Sequence, residues 1–143
     1  LVDQMLRLTR DLIPSQFPMH ALGIGHPANI AACVPLGYAT FDSALPTRDA
    51  RRGRLYVMAG PPTPADNRWF RFLYVTDDKY IKAAEPVDPT CDCLTCTHYS
   101  RGYLRHLYRA NEAAFQRLTT LHNLRFMSRL MAALRPQLQV AHG

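Results

Sequence analysis

The positions of apolar residues in the first third of the chain predict alternating helices and strands. Apolar residues recur every three or four positions over Leu1–Ile13, which predicts a helix that Pro14 ends. The apolar runs Ala21–Gly25 and Tyr38–Leu45 each predict a short strand, the first of them buried. A second helix is predicted between them, with Pro27 in its first turn. This order of helix, strand, helix and strand favours parallel strands in an α/β fold.

Short β segments and then helices are predicted for the rest of the chain. Leu55–Met58, Phe70–Thr76 and Lys79–Ala84 have the length and composition of short strands. A helix is predicted over Arg101–Ala110, and a last helix is predicted over Leu121–Arg135, ended by the proline that follows. The predicted buried face of that last helix consists of Leu121, Leu124, Met127 or Ser128, Met131 and Leu134.

The charge of the chain favours a polyanionic partner. Its 143 residues carry a net charge of +6, with an isoelectric point of about 9.5. The segment Pro46–Arg54 holds four arginines and one aspartate directly after a predicted strand. Its sequence predicts a loop, which is either solvated or places binding groups at the strand end.

The length and the apolar content allow one domain or part of one. The apolar share of 48% suffices for a core, and no apolar run approaches the roughly 18 residues of a membrane span. The first residues lack the pattern of a signal peptide, so a reducing, cytoplasmic setting without a membrane is expected. The chain begins with Leu1 rather than Met, which indicates a piece of a longer protein.

Three of the four cysteines lie within six positions and predict a metal site. Cys91, Cys93 and Cys96 offer thiolates, and a histidine would complete a tetrahedral set suited to zinc. Four protein ligands leave no open position, so this ion would be structural. Disulfides or free thiols are the alternative, although nothing marks the chain as secreted. Spacing alone leaves the fourth ligand open, and the candidates are His98, His106 and His122.

Asp42 is the candidate catalytic residue. It follows Phe41 at the end of an apolar strand, which is where barrel folds display their catalytic groups. A carboxylate there suits a nucleophile, a base or a metal ligand, whereas capping of a neighbouring turn is the alternative. Gly23 and Gly25 near the other strand end would permit close approach of the backbone to a ligand.

Several motifs, taken together, resemble the tRNA-guanine transglycosylase, or queuine tRNA-ribosyltransferase, family. They occur in the family's order over nearly the whole chain. The motifs are Gly23-Ile24-Gly25-His26-Pro27, Phe41-Asp42-Ser43-Ala44-Leu45-Pro46-Thr47-Arg48-Asp49-Ala50-Arg51, Asp88-Pro89-Thr90-Cys91-Asp92-Cys93-Leu94-Thr95-Cys96, Tyr99-Ser100-Arg101 and Leu121-His122-Asn123-Leu124.

The resemblance implies the C-terminal part of a (β/α)8 TIM barrel with an inserted zinc subdomain. By this resemblance, Ala21–Gly25 is the seventh strand of the barrel and Tyr38–Leu45 the eighth. Residues 1–54 would hold the last two strand and helix units, 55–118 the insert, and 119–143 the closing helix and tail. The family's earlier strands carry a second aspartate, the general acid/base, and most of the base pocket.

The resemblance also implies an activity and its residues. Asp42 matches the nucleophile that displaces guanine 34 of the tRNA anticodon through a covalent aspartyl-ribosyl intermediate, before a 7-deazaguanine base enters. The zinc ligands of the family fall on Cys91, Cys93, Cys96 and His122. Two segments match RNA-contacting segments of the family. They consist of Gly23, Ile24, Gly25, His26, Pro27, Ala28 and Asn29, and of Thr47, Arg48, Asp49, Ala50 and Arg51. Members of the family commonly form homodimers.

Departures from the family pattern leave the substrate open. Ser43 replaces a common cysteine, Leu22 a frequent methionine and His20 a usual tyrosine, and the stretch Gly60–Phe72 is longer than the family's connection. The exchanged base is therefore not fixed, and DNA is an alternative to tRNA. A second hypothesis is a non-catalytic, zinc-stabilised RNA-binding fragment or accessory subunit, because the earlier barrel strands are absent from this chain.

Overall fold

A computed structural model describes residues 2–140 and the side chains of residues 4–138. The elements, in chain order, are α1 Val2–Leu12, β1 Met19–Ala21, α2 Pro27–Cys33, a 3-10 turn Val34–Leu36, β2 Tyr38–Phe41, α3 Leu45–Arg51, β3 Arg54–Met58, β4 Phe70–Tyr74, a 3-10 turn Asp78–Tyr80, α4 Leu94–His98, α5 Arg101–Arg109 and α6 Ala113–Val140. Helices and strands are mixed, which agrees with the predicted α/β class.

The first two strands pair in parallel, as the alternating pattern predicted. β1 lies beside β2, with Met19 opposite Tyr38 and Ala21 opposite Phe41. The predicted bounds of the first strand were wrong, because it ends at Ala21 rather than beginning there. Gly23 adopts a φ of 72°, a left-handed conformation that belongs to a turn. The TIM-barrel assignment stays a prediction.

The other two strands form an antiparallel ribbon that carries much of the core. β3 and β4 pair with Tyr56 opposite Phe72 and Met58 opposite Phe70. Tyr56 is fully buried and packs edge-on against Phe126 of α6, with ring centroids 5.4 Å apart. The predicted strand over Lys79–Ala84 was wrong, because a 3-10 turn and irregular chain occupy this region.

The arginine-rich segment after β2 is helical rather than a loop. α3 covers Leu45–Arg51, with Pro46 in its first turn, where its fixed φ suits a helix and its missing N–H costs nothing. Pro46 and Ala50 are buried against α6, while Arg48 and Arg51 are exposed. The helix was not predicted because its apolar face extends over only two turns and its other positions are rich in arginine.

α6 is the element around which the chain packs. It contacts α3, α4, α5 and β3. Its predicted start at Leu121 was wrong, because the helix begins at Ala113 and crosses the predicted domain boundary at residue 119. Its predicted end was also wrong, because Pro136 lies inside the helix. Ala132, whose carbonyl loses its partner there, is exposed, so water can replace the missing bond. The division into three domains stays a prediction.

The buried face of α6 differs from the predicted one. Leu121 and Leu124 are 38% and 45% exposed, although both were expected in the core. The buried positions recur every three or four residues instead and include three polar residues. They are Phe115, Leu118, Thr119, His122, Asn123, Phe126, Leu130 and Leu134. The prediction is confirmed for Leu134, and Met127 and Met131 are partly buried against the same core, but it was wrong for Leu121 and Leu124.

None of the described helices is both long enough and apolar enough to cross a membrane.

Candidate functional site

The three clustered cysteines and His122 come together in the structure. Their ligand atoms all lie within 4.8 Å of one another, and Nδ1 of His122 is 3.2 Å from Sγ of Cys96 and 3.7 Å from Sγ of Cys93. The cysteines surround the start of α4, where the amide of Cys96 donates to Sγ of the helix-capping Cys93. α6 supplies the histidine from the opposite side.

A second hydrogen bond fixes the orientation of the His122 ring. Nε2 lies 2.8 Å from the carbonyl oxygen of Tyr56, an acceptor, so Nε2 carries the proton and donates it. Nδ1 is then left without a proton and faces the sulfurs, which is the arrangement of a metal-ligating histidine. His98 and His106 are exposed and lie outside the cluster. None of the four cysteines, all of which lie in the described part of the chain, forms a disulfide bond, so disulfides do not account for the spacing.

The pKa values of the clustered thiols are shifted in opposite directions, which bears on whether a cation fits among them. Hydrogen bonds from Cys91 and then from Cys96 hold the pKa of Cys93 far below its usual value. Hydrogen bonds with Cys91 and then with Cys93 raise the pKa of Cys96, so Cys96 keeps its proton while Cys93 loses its own. A soft divalent cation removes this conflict by allowing all three thiols to ionise. The donor set therefore fits zinc.

Contacts around the cluster hold the cysteine loop, residues 88–96, against α6. Oγ1 of Thr95 donates to the carbonyl of Leu118 at 2.6 Å. Arg125 donates two bonds of 2.7 Å to the carboxylate of Asp92, an exposed pair whose bidentate geometry fixes orientation more than it adds stability. The buried carboxylate of Asp88 accepts from the amide of Thr90 at 2.8 Å and begins the turn into the cysteines.

Asn123 connects the metal cluster to α3 and β3. Its Oδ1 accepts from the amide of Tyr56 at 3.1 Å, and its Nδ2 donates to the carbonyls of Pro46 and Arg54 at 2.9 and 3.0 Å. The side chain is fully buried. Asn123 lies within one of the family motifs, and the signal for its role is its place beside His122, the predicted metal ligand.

Replacement of Asn123 by alanine is expected to destabilise the protein by about 3 kcal/mol. The change leaves one buried amide and two carbonyls without their partner, and each unsatisfied buried group costs roughly 1–3 kcal/mol. Denaturant unfolding of the zinc-loaded protein measures the difference. Gln116→Ala, an exposed position on the same helix, is the matched control and should change stability by less than about 0.5 kcal/mol. Equal stability of the two variants would show that the bridge is dispensable.

Asp42 lies just beyond β2, and one of its carboxylate oxygens is held from two sides. Oδ1 accepts from the backbone amide of Gly23 at 3.0 Å and from Nε2 of His20 at 3.0 Å. Nδ1 of His20 lies 2.8 Å from Oγ1 of Thr40, which donates to it when the ring is neutral. The Gly23 amide, followed by the His20 bond, lowers the pKa of Asp42 below its ordinary value. The carboxylate is therefore ionised and oriented.

The other oxygen of Asp42 is left open. Among the described residues, Oδ2 has no hydrogen-bonding partner, and the Asp42 side chain is 60% exposed. Gly25 lies so close to Ser43 that a Cβ at position 25 would overlap the serine side chain. A groove of about 720 Å³ begins beside these residues and runs between Thr40, Phe41 and the Met127 side of α6. The residues on either side of Asp42, Phe41 and Ser43, both line this groove.

The residues predicted to contact RNA divide by exposure. Gly23, Asn29, Arg48 and Arg51 are exposed; Ile24, His26, Ala28 and Thr47 are partly buried; Gly25, Pro27, Asp49 and Ala50 are buried. The carboxylate of Asp49 accepts a 2.7 Å bond from the Tyr56 hydroxyl and lies 3.6 Å from Arg54. Asp49 thus has a structural role in this chain, and an RNA contact for any of the twelve residues stays a prediction.

Comparison with known proteins assigns the family. A family model described as queuine tRNA-ribosyltransferase matches residues 2–141. The chain is 42% identical over 123 residues to the queuine tRNA-ribosyltransferase of Hamiltonella defensa subsp. Acyrthosiphon pisum (strain 5AT), a match that covers 86% of this chain. The match covers 30% of that relative's length. The resemblance found in the motifs is thereby confirmed, and the chain belongs to the queuine tRNA-ribosyltransferase family.

Proposed function

We propose that this chain is the C-terminal portion of a tRNA-guanine transglycosylase that exchanges guanine 34 of the anticodon for a 7-deazaguanine base. The observation that supports this most directly is the geometry of Asp42 in a chain of this family. One oxygen accepts two hydrogen bonds, and the other has no hydrogen-bonding partner among the described residues. A carboxylate oriented in this way suits nucleophilic displacement at an anomeric carbon.

In the proposed first step, Oδ2 of Asp42 attacks C1′ of nucleotide 34. The C1′–N9 bond breaks, and guanine leaves with the bonding electrons and takes a proton from a general acid. By the resemblance, that acid is an aspartate on an earlier strand of the barrel, outside this chain. Oδ1 becomes the carbonyl oxygen of the ribosyl ester, and the Gly23 amide and His20 continue to donate to it.

The second step reverses the first with a different base. N9 of the incoming 7-deazaguanine base attacks C1′ and loses its proton to the same acid/base group. The C1′–O bond breaks, and its electrons restore the Asp42 carboxylate. Displacement twice at the same carbon retains its configuration, as in retaining glycosidases.

Cys91, Cys93, Cys96 and His122 would hold one structural Zn²⁺ per chain. Bound there, the ion supplies folding energy and leaves no open position for chemistry. Its proposed role is therefore to fix α4 and the cysteine loop against α6. The full-length protein is proposed to act in the cytoplasm, as a homodimer, on the anticodon loop of tRNA.

Labelled guanine provides the test. The full-length protein should incorporate it into tRNA that carries guanine 34 and should not incorporate it into the same tRNA with adenine at that position. Equal incorporation into a DNA oligonucleotide would reassign the substrate. Salt-sensitive tRNA binding without incorporation would favour the alternative, a non-catalytic RNA-binding accessory subunit, which the net charge of +6 motivates.

His20 is predicted to set the acid limb of the pH profile. Its hydrogen bond is the second largest influence that lowers the pKa of Asp42, after the Gly23 amide. An Asp with a lowered pKa is ionised above that value and becomes protonated as the pH falls through it. His20→Phe removes one of the two donors, so the acid limb of kcat/KM should move to higher pH. At neutral pH Asp42 is ionised in both proteins, and the weaker orientation of its carboxylate should lower kcat/KM by about tenfold.

The control for His20 is the exposed His98, which lies outside the Asp42 site. His98→Phe should leave both the rate and the acid limb unchanged. Restoration of the wild-type limb by His20→Tyr, whose hydroxyl could donate to the same oxygen, would support a positioning role. An unchanged limb in His20→Phe would contradict the prediction.

A further inference from the structure

We infer that a pocket formed by Arg48, Arg52, Arg54 and Tyr74 binds one phosphodiester group of the RNA substrate, an inference that rests on the proposed function. This arginine pocket has a volume of about 230 Å³ and is completed by Leu45 and Asp49. It lies between α3 and the end of the β3–β4 ribbon, where Arg54 stands opposite Tyr74. Arg52, Arg54 and Tyr74 lie outside the segments that sequence reasoning assigned to RNA.

Arg54 is held in place before any ligand arrives. Its guanidinium lies 3.6 Å from a carboxylate oxygen of Asp49 and stacks over the rings of Phe72 and Tyr74, at 5.3 and 5.5 Å from their centroids. The side chain still retains 40% exposure. Stacking fixes the plane of the Arg54 guanidinium, and Asp49 engages one of its terminal nitrogens. The other N–H groups of Arg54 can therefore bind an anion at little cost in conformational entropy.

The charges of the pocket favour an anion. Within the part of the chain that the structure describes, neither Arg48 nor Arg52 forms an ion pair, and both are exposed. Asp49 is the one acid in the lining, and its carboxylate is already engaged by Arg54 and by the Tyr56 hydroxyl. Burial, followed by the bond to Asp49, raises the pKa of Tyr56, so its hydroxyl remains a neutral donor. Three guanidinium groups around one neutralised carboxylate leave an excess of two positive charges.

The geometry favours a phosphate of a nucleic acid over other anions. Arginine forks from a helix and from a strand converge on one pocket, which suits an oxyanion with several acceptor oxygens. The Tyr74 ring beside them is 43% exposed and offers a surface for a sugar or a base. α3, about 10 Å long, links the pocket to the strand end that carries Asp42. A phosphate bound there would belong to the strand that presents nucleotide 34.

Arg52→Ala in the full-length protein tests the inference, because this exposed side chain has no described partner whose loss would disturb folding. Contacts to phosphates make log K fall linearly with log salt concentration. Loss of one contact should weaken tRNA binding and reduce the magnitude of that slope by about one. Arg52→Lys should recover most of the slope. Arg68→Ala, which removes an exposed arginine of the β3–β4 loop, is the charge-matched control and should leave the slope unchanged.

The control Arg68→Ala should keep the wild-type rate of guanine exchange, because Arg68 lies outside the lining of the arginine pocket. The inference would be overturned if the salt slope of tRNA binding were equal in Arg52→Ala, Arg68→Ala and the wild type. The proposed function would still stand if that wild type exchanged guanine. A different result would assign the pocket to a free anion. In that case inorganic phosphate would protect the wild type, but not Arg52→Ala, from unfolding, and the salt slope of tRNA binding would be the same for both proteins. A wild type that neither binds nor modifies tRNA would mean that the proposed function has failed first.

Discussion

Asp42→Asn in the full-length protein is expected to reduce guanine exchange by about 10⁴-fold or more, as loss of a catalytic nucleophile does in other covalent mechanisms. The amide oxygen of asparagine can still accept from Gly23 and His20, so the local geometry is preserved. An amide nevertheless cannot form the ribosyl ester, because it lacks the anionic oxygen that attacks C1′. The variant should therefore bind tRNA normally and fail in the chemical step.

A denaturing gel separates the covalent step from binding. Wild-type protein incubated with tRNA and no second base should give a band that contains both protein and RNA and survives denaturation, whereas Asp42→Asn should give none. Asp66→Asn, which neutralises a carboxylate of the β3–β4 loop, is the control and should behave as the wild type. Exchange by Asp42→Asn at more than about one hundredth of the wild-type rate would show that another group is the nucleophile.

The second large effect is expected at the metal cluster. Cys96→Ser should lower the zinc content from one ion per chain to nearly none and unfold α4 and the cysteine loop. Structural zinc in small sites contributes roughly 10–16 kcal/mol of apparent binding free energy. This is as large as the roughly 5–15 kcal/mol by which a whole domain is stable. A buried serine hydroxyl beside two thiolates and an imidazole is a poor substitute for the missing sulfur.

Metal analysis together with thermal unfolding measures this result. Cys33→Ala removes the remaining cysteine, which is buried in a separate core with Met19 and Tyr38, and should keep the full zinc content. His98→Ala and His106→Ala should also keep it, whereas His122→Ala should not. Retention of one tightly bound zinc by both Cys96→Ser and His122→Ala would exclude this ligand set.

The cysteine spacing was the most informative feature of the sequence, because ligand chemistry depends on residue type and can be recognised without a fold. The choice of the histidine was different. Spacing left three histidines open, and the resemblance favoured His122, which is the one that the folded chain brings to the sulfurs. Only the packing of α6 against β3 produces that contact, and such packing is a tertiary property.

Tertiary contacts also explain the errors at α3 and α6. The pattern of apolar residues placed Leu121 in the core, whereas the buried face of α6 includes His122 and Asn123, whose polar groups are satisfied by a metal cluster and by backbone groups. Hydrophobicity alone predicts that histidine and asparagine are exposed, so it cannot identify these two as buried. In α3, the run of arginines predicted a loop, whereas the segment is a helix that buries Pro46 and Ala50.

The adjacent roles of His122 and Asn123 restrict how this chain can change in length during evolution. One residue inserted between Leu118 and His122 would rotate the following helix by about 100° and advance it by about 1.5 Å. Both the metal ligand and the bridge to Tyr56 would then be lost together. Insertions and deletions should therefore accumulate in the β3–β4 loop, residues 59–69, and in the turn before α6, where Asn111 has a φ of 55°. The first half of α6 should keep a fixed length.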